Sequence, residues 1–113
     1  MSRSGAATRQ AATVFAALGD NTRLRLMQRL SLEGPQSISR LSEGSGMTRQ
    51  AITRHLQSLG RAGLVRDRRE GRQHVYSLDL KRLELARQYL DDVSAQWDAA
   101  AARLKAFVED DAG

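Results

Sequence analysis

The residues with the most capacity for chemistry lie in the stretch MTRQAITRHLQSLGRAGLV, from Met47 to Val65. Ile52, Leu56 and Leu59 recur there at helical spacing, and arginine, glutamine and threonine fill the positions between them. On a wheel of about 100° per residue with Ile52 at the origin, Leu56 and Leu59 fall within about 40° of it. Gln50, Arg54 and Arg61 fall near the opposite pole, flanked by Gln57 and Thr53. Arginine can donate two hydrogen bonds to guanine, glutamine can pair with adenine, and threonine offers a hydroxyl or a methyl. A helix of this width fits the major groove of B-DNA, with its N-terminal residues reaching bases and its start favouring a phosphate. A solvated face on an ordinary core helix would carry the same pattern, so the flanking elements must decide.

Those elements favour nucleic acid. The stretch LVRDRREGRQHVYSL holds two β-favouring arms around Glu70-Gly71, which predicts a hairpin with Gly71 supplying a positive φ where the chain reverses. Its tip gathers Arg66, Arg68, Arg69 and Arg72, a density of positive charge that a solvent-facing turn does not need. Arginine there can bind phosphates or enter a minor groove, a positioning role rather than a sequence-reading one. Ahead of the opening stretch, Ser37 can cap a short helix carrying Ile38 and Leu41, EGSGM breaks it with two glycines, and Thr48 can cap the next helix to about Ala62. Helix, glycine-bearing turn, helix is the helix-turn-helix arrangement, and a charged hairpin after it makes a winged helix.

Two helices are expected before this unit. One runs from about Thr8 to Leu18, with Ala12, Phe15 and Leu18 on one side, and Gly19 ends it. The next is capped by Asp20 or Asn21, carries Leu24, Met27 and Leu30, and stops at Gly34-Pro35. After the hairpin, Leu80 to Val108 is the longest periodic segment. Leu83, Leu90, Trp97 and Leu104 are seven apart, and so are Ala86, Val93, Ala100 and Phe107. Two interleaved series at this spacing describe a coiled-coil seam, which predicts a partner helix from a second subunit, the alternative being a helix folded back on its own domain.

Charge is distributed to match. The net charge of +5 divides into two basic and no acidic residues over 1–19, 11 basic and five acidic over 20–76, and five basic and eight acidic over 77–113. A basic middle beside an acidic C-terminal third implies that one segment meets a polyanion and another does not. The 113 residues fit one domain. With only five aromatic residues, aliphatic side chains must build most of the core. The absence of cysteine excludes a disulfide framework, a thiolate metal site, thiol redox sensing and a cysteine nucleophile. No apolar run approaches the roughly 20 residues of a membrane span. MSRSGAAT lacks the apolar core of a signal peptide, so a cytoplasmic location without membrane partners is expected. Catalysis is not expected: the serines lack a His/Asp constellation, and no phosphate-cradling glycine motif occurs.

Taken in order, FAALGDNTRLRLMQRL, SISRLSEGSGMTRQAITRHLQSLGRAGLV and RREGRQHVYSL resemble the ArsR family of winged-helix bacterial transcriptional regulators, over roughly Phe15 to Leu78. TRHLQSLGRAGLV and EGRQHVYSL carry the resemblance most specifically. It implies a mainly α fold with a small β-hairpin: a single winged helix-turn-helix domain over 1–113 plus a long C-terminal dimerisation helix. The helix-turn-helix would span about 37–62, the wing about 64–78, and the dimerisation helices about 8–18 and 80–108. It further implies a repressor that binds a near-palindromic operator in double-stranded DNA as a homodimer. Carried onto this sequence, the recognition positions are Thr48, Arg49, Gln50, Thr53, Arg54 and His55, with Gln57 beside them, and the wing contributes Arg68, Arg69 and Arg72. The paired surface would take Phe15, Leu83, Leu90, Val93, Trp97 and Leu104.

The sequence departs from the family's metal sensors, which carry cysteines on the third helix or histidines with carboxylates on the last. The third helix here reads SISRLSEG, and the last has Asp91, Asp92 and Asp98 but no histidine. Borderline transition metals favour nitrogen or sulfur ligands, so no metal cofactor is expected. Of the two histidines, His74 lies in the hairpin, and His55 lies about 60° from Ile52 at the edge of the apolar stripe, a place for a structural hydrogen bond or a phosphate contact. Two alternatives stay open. A small apolar effector could sit between the last helices near Trp97 and Tyr89, or the chain could be a protein-interaction module that has lost DNA binding.

Overall fold

A computed structural model describes residues 3–112. Its element order is α1 (Arg3–Leu18), α2 (Asn21–Glu33), β1 (Gln36–Ser37), α3 (Ile38–Ser42), α4 (Arg49–Arg61), β2 (Val65–Glu70), β3 (Gln73–Leu78) and α5 (Leu80–Ala112). The expected fold class is the observed one, mainly helical with a small antiparallel sheet. The sheet has three strands rather than two, in the order β1-β3-β2. β1 is too short to show a sequence pattern; it exists because Gln36 and Ser37 pair with Tyr76 and Val75 across the chain.

Most helix starts follow from the capping residues. The Asp20 carboxylate accepts from the Arg23 amide, the Ser37 hydroxyl from Arg40, and the Thr48 hydroxyl from Ala51. Each satisfies a backbone donor that the first helical turn leaves without a partner. α2 ends where Gly34 takes φ 78° and donates to Leu30 O. α4 ends with Gly63 at φ 77°, its amide on Gly60 O and the Leu64 amide on Leu59 O, the double bond of a Schellman turn. This turn redirects the chain from α4 into the wing, and Asp79 N donates back to Leu64 O at 2.9 Å to close the wing's base.

Two apolar faces differ from expectation. On α1 the buried residues are Ala11, Val14 and Ala17, while Ala12 is exposed and Phe15 and Leu18 are half-buried. With alanine on both sides of this helix, spacing alone does not reveal which side carries the packing. α1 also begins at Arg3 rather than near Thr8, the added turn containing the strong helix formers Ala6 and Ala7. On α2, Leu26 replaces Leu24 beside Met27 and Leu30; Leu24 is 46% exposed.

The core gathers Val14, Leu26, Leu30, Leu41, Ile52, Leu56, Leu59, Leu64 and Tyr76. Burying each large aliphatic side chain contributes about 1.5–3 kcal/mol. Ile52, Leu56 and Leu59 are at most 1% exposed, so the apolar stripe of α4 is fixed inward and its rotation about its own axis is set. Arginines brace the helices around this core. Arg23 Nε donates to Ala17 O at 2.6 Å across the α1–α2 corner, and Arg29 Nη1 donates to Leu41 O at 3.1 Å from α2 to α3.

The heptad series of α5 divides into two parts. Ala86 is buried and Leu83 packs against the core, so the first turns fold back on the same chain. Phe15 also packs against the core, and its ring lies 6.4 Å from that of Tyr89. Seven-residue spacing cannot separate these intrachain contacts from the rest of the seam. Beyond them Val93 is half-buried, while Leu90, Trp97, Leu104 and Phe107 are 45%, 65%, 63% and 68% exposed. The 33 residues of α5 make a rod of about 50 Å. Its far half extends past the core and accounts for much of the 70 Å long axis.

Candidate nucleic-acid interface

Because Ile52, Leu56 and Leu59 point inward, Gln50, Arg54, Gln57 and Arg61 lie on the other sides of α4, with Gln50, Arg54, Gln57 and Arg61 all in reach of solvent. The helix reads RQAITRHLQSLGR and contains no acidic residue. Thr53 is half-buried, and its hydroxyl donates to Arg49 O at 2.7 Å, leaving its oxygen lone pair and methyl as contact atoms. The Thr48 hydroxyl oxygen is engaged as the N-cap, so this residue positions the helix start as well as standing at it.

His55 is placed differently from the other recognition candidates. Its Nδ1 lies 3.7 Å from Asp20 Oδ2, and the ring is half-buried against the start of α2. A structural hydrogen bond or a phosphate contact is expected at the edge of the apolar stripe; the ring instead stands at ion-pair distance from the Asp20 carboxylate, on a different side of the helix from Arg54. The Asp20 carboxyl is held below its ordinary range, first by the Arg23 amide hydrogen bond and also by the nearby charges of Arg23 and His55, against an opposing effect of desolvation.

The wing approaches α4 with one of its two faces. β2 and β3 pair over their full length, with Glu70 opposite Gln73, so the two-residue loop is Gly71-Arg72 rather than Glu70-Gly71. Gly71 has φ 62°, as the first loop position of a type II′ hairpin requires. Side chains alternate across a strand, so Asp67 and Arg69 share a face with Val65, and Arg66 and Arg68 take the other. Thr53, Gln57 and Arg61 of α4 line one groove with Asp67 and His74 of the wing. Arg49 shares a second cleft with Arg72, Gln73 and His74.

The wing arginines are therefore not equivalent. Arg66 Nε donates to Asp79 Oδ2 at 2.9 Å and braces the wing's base. Arg68 is paired with Glu70 at 2.6 Å, on the side that faces Pro35, Gln36 and Arg40. Arg69 and Arg72 have no ion-pair partner among the described residues. Burial, with the Asp67 charge, pushes the Tyr76 phenol up, consistent with its place under the groove. Sequence reasoning left His74 without a role. The signal that could have found it is its position facing Arg69 across the hairpin.

Three helices around one core, a glycine-bearing turn between α3 and α4, and a hairpin beside α4 define a winged helix-turn-helix. A family model described as "Helix-turn-helix domain" matches residues 18–68. The chain is 39% identical over 75 residues to the HTH-type transcriptional regulator Rv2034 of Mycobacterium tuberculosis, a match covering 66% of this chain and 69% of that one. Among solved structures, an ArsR-like transcriptional regulator from Rhodococcus sp. RHA1 superposes with a TM-score of 0.75 at 35% identity, covering 87% of this chain and 92% of that one. The homodimeric winged helix-turn-helix DNA-binding domain Mb0332 of Mycobacterium bovis superposes with a TM-score of 0.66 at 29% identity, covering 85% and 87%. The chain belongs to the ArsR family of winged helix-turn-helix transcriptional regulators. Among curated relatives, the matched region spans 51% to 75% of their length. No helix of the described residues is long and apolar enough to cross a membrane.

Proposed function

We propose that the chain acts as one DNA-binding unit, a homodimeric repressor that reads a near-palindromic operator with α4 and works in the cytoplasm. The observation that carries this reading is the exposure of Gln50 and Arg54 opposite a fully buried Ile52-Leu56-Leu59 stripe, beside the unpaired Arg69 and Arg72 of the wing. Gln50, Arg54 and Gln57 read base edges in the major groove. Thr48, Arg49 and Thr53 set the helix against the backbone and the nearest bases, and Arg69 and Arg72 bind flanking phosphates. Arg68 joins them only by leaving Glu70. His55 acts through Asp20, holding the recognition helix to α2.

Pairing uses the exposed face of α5, with Leu90, Trp97 and Leu104 at its centre, Val93 beside them and Phe15 and Leu83 at the edge nearest the core. Large exposed apolar side chains in a row mark an interaction surface, and the M. bovis relative is described as homodimeric. The acidic C-terminal third then sits away from the DNA. An apolar effector between the last helices would have to rely on Trp97, because the Tyr89 ring already packs on Phe15. A gel shift on the region upstream of the chain's own gene, at two salt concentrations, tests the reading. Retarded duplex that outlasts competitor DNA supports it, and binding equal to that of random duplex counts against it.

A further inference from the structure

Among the described wing residues, His74 alone lines both the groove and the second cleft described above. It borders the groove with Thr53, Gln57 and Arg61, and the cleft with Ser39, Arg49 and Arg72. Its Nδ1 lies 3.3 Å from Asp67 Oδ2, and its Nε2 has no hydrogen bond among the described residues. The charged groups facing it are Asp67 and Arg69 from β2, Arg72 from the turn, and Arg49 and Arg61 from α4; α3 and its cap offer only the neutral Ser37 and Ser39. Two cations, Arg49 and Arg72, therefore line the cleft with His74, and the Asp67 carboxylate stands beside the imidazole's other nitrogen from the adjoining groove. A ring anchored through Nδ1 presents its other nitrogen, Nε2, which donates once the ring is protonated.

We propose that this cleft seats a backbone phosphate of duplex DNA, with His74 Nε2 as hydrogen-bond donor, Arg49 and Arg72 as flanking cations, and Asp67 as the residue that positions the imidazole. The inference rests on the DNA-binding reading above, which already gives Arg49 and Arg72 to the backbone, and adds His74 as a donor and Asp67 as the residue that positions it. Phosphate is the ligand the chemistry favours, because Arg49, Arg72 and the hydroxyls of Ser37 and Ser39 surround the imidazole and Gln73 adds a neutral amide, with no carboxylate lining the cleft. Protonation gives an imidazole a positive charge and makes both its nitrogens donors, so acid adds an ionic component to such a contact.

The test uses the full chain and a short fluorescent duplex of arbitrary sequence, since a phosphate contact does not depend on base sequence. Affinity is measured against salt at pH 8 and pH 6. For the wild type, the slope of log K against log salt steepens at pH 6 by about 0.9 for each such contact, and affinity at fixed salt rises several-fold. His74→Gln abolishes the change with pH while still binding at pH 8, and Asp67→Asn shrinks it. A His74→Gln chain with the wild-type pH response overturns the proposal. A wild type that binds no duplex at all sinks the DNA-binding reading itself, an outcome distinct from this one.

Discussion

Arg66 and Asp79 meet at 2.9 Å across the base of the wing, joining the first exposed residue of β2 to the residue that precedes α5. Asp79 also accepts from the Lys81 amide, so one carboxylate both caps the long helix and fixes the wing's root. The orientation of the wing is thereby tied to that of α5.

This junction is expected to be acid-sensitive. The Arg66 hydrogen bond, followed by that from Lys81, holds the Asp79 carboxyl below its ordinary value of 3.8. A carboxylate with a lowered folded value contributes stability that is present above that ordinary value and lost as pH falls through the folded one. Thermal unfolding followed by circular dichroism should therefore show a midpoint that drops below about pH 4. Asp79→Asn should lower the midpoint at pH 7 and flatten this acid-side loss. A variant with the wild-type acid profile would show that the contact is idle.

Arg54→Ala should weaken specific binding by about 1–3 kcal/mol and relax preference at one base pair in each half-site. The motive is its exposed place opposite the buried stripe on a helix whose rotation is fixed by the core. Binding to specific and random duplex should be compared by fluorescence anisotropy. An equal loss on both would make Arg54 a phosphate contact.

In the wing, Arg69→Ala with Arg72→Ala should lower affinity for every duplex and flatten the salt dependence, by about 0.9 in slope for each phosphate left without its arginine. Arg68→Ala should do less, because that side chain is already paired with Glu70. Salt titrations of the double and single variants against the wild type rank them. Equal slopes would remove the wing from the interface.

Leu90→Asp or Leu104→Asp should convert a dimer to monomer while leaving helix content unchanged. Either change places a charge on the seam that pairing would bury without a partner. Sedimentation velocity reads the outcome directly. An intact Leu104→Asp dimer would move the interface off the far half of α5.

Much of the architecture was legible because the determinants are local. Asp20, Ser37 and Thr48 start helices by accepting amides three residues on, and Gly34 ends one by taking a backbone conformation that other residues avoid. The buried stripe of α4 followed from a single helical period with no competing apolar face. What escaped depends on the rest of the fold. β1 exists through pairing with β3, the buried side of α1 through contact with alanines that its outer face also carries, and the division of α5 through where the core ends. Within the site, the alternation of Arg68 and Arg69 and the turning of His55 toward Asp20 required the hairpin's register and the position of α2.

The central claim is that two copies present their α4 helices to duplex DNA in a fixed twofold arrangement. Selection of bound duplexes from a fully randomised pool by the purified chain tests it most directly. The predicted result is enrichment of an inverted repeat whose half-site centres lie about one helical turn, or a multiple of it, apart. Recovery of unenriched sequences, or of a single unrepeated site, would contradict it.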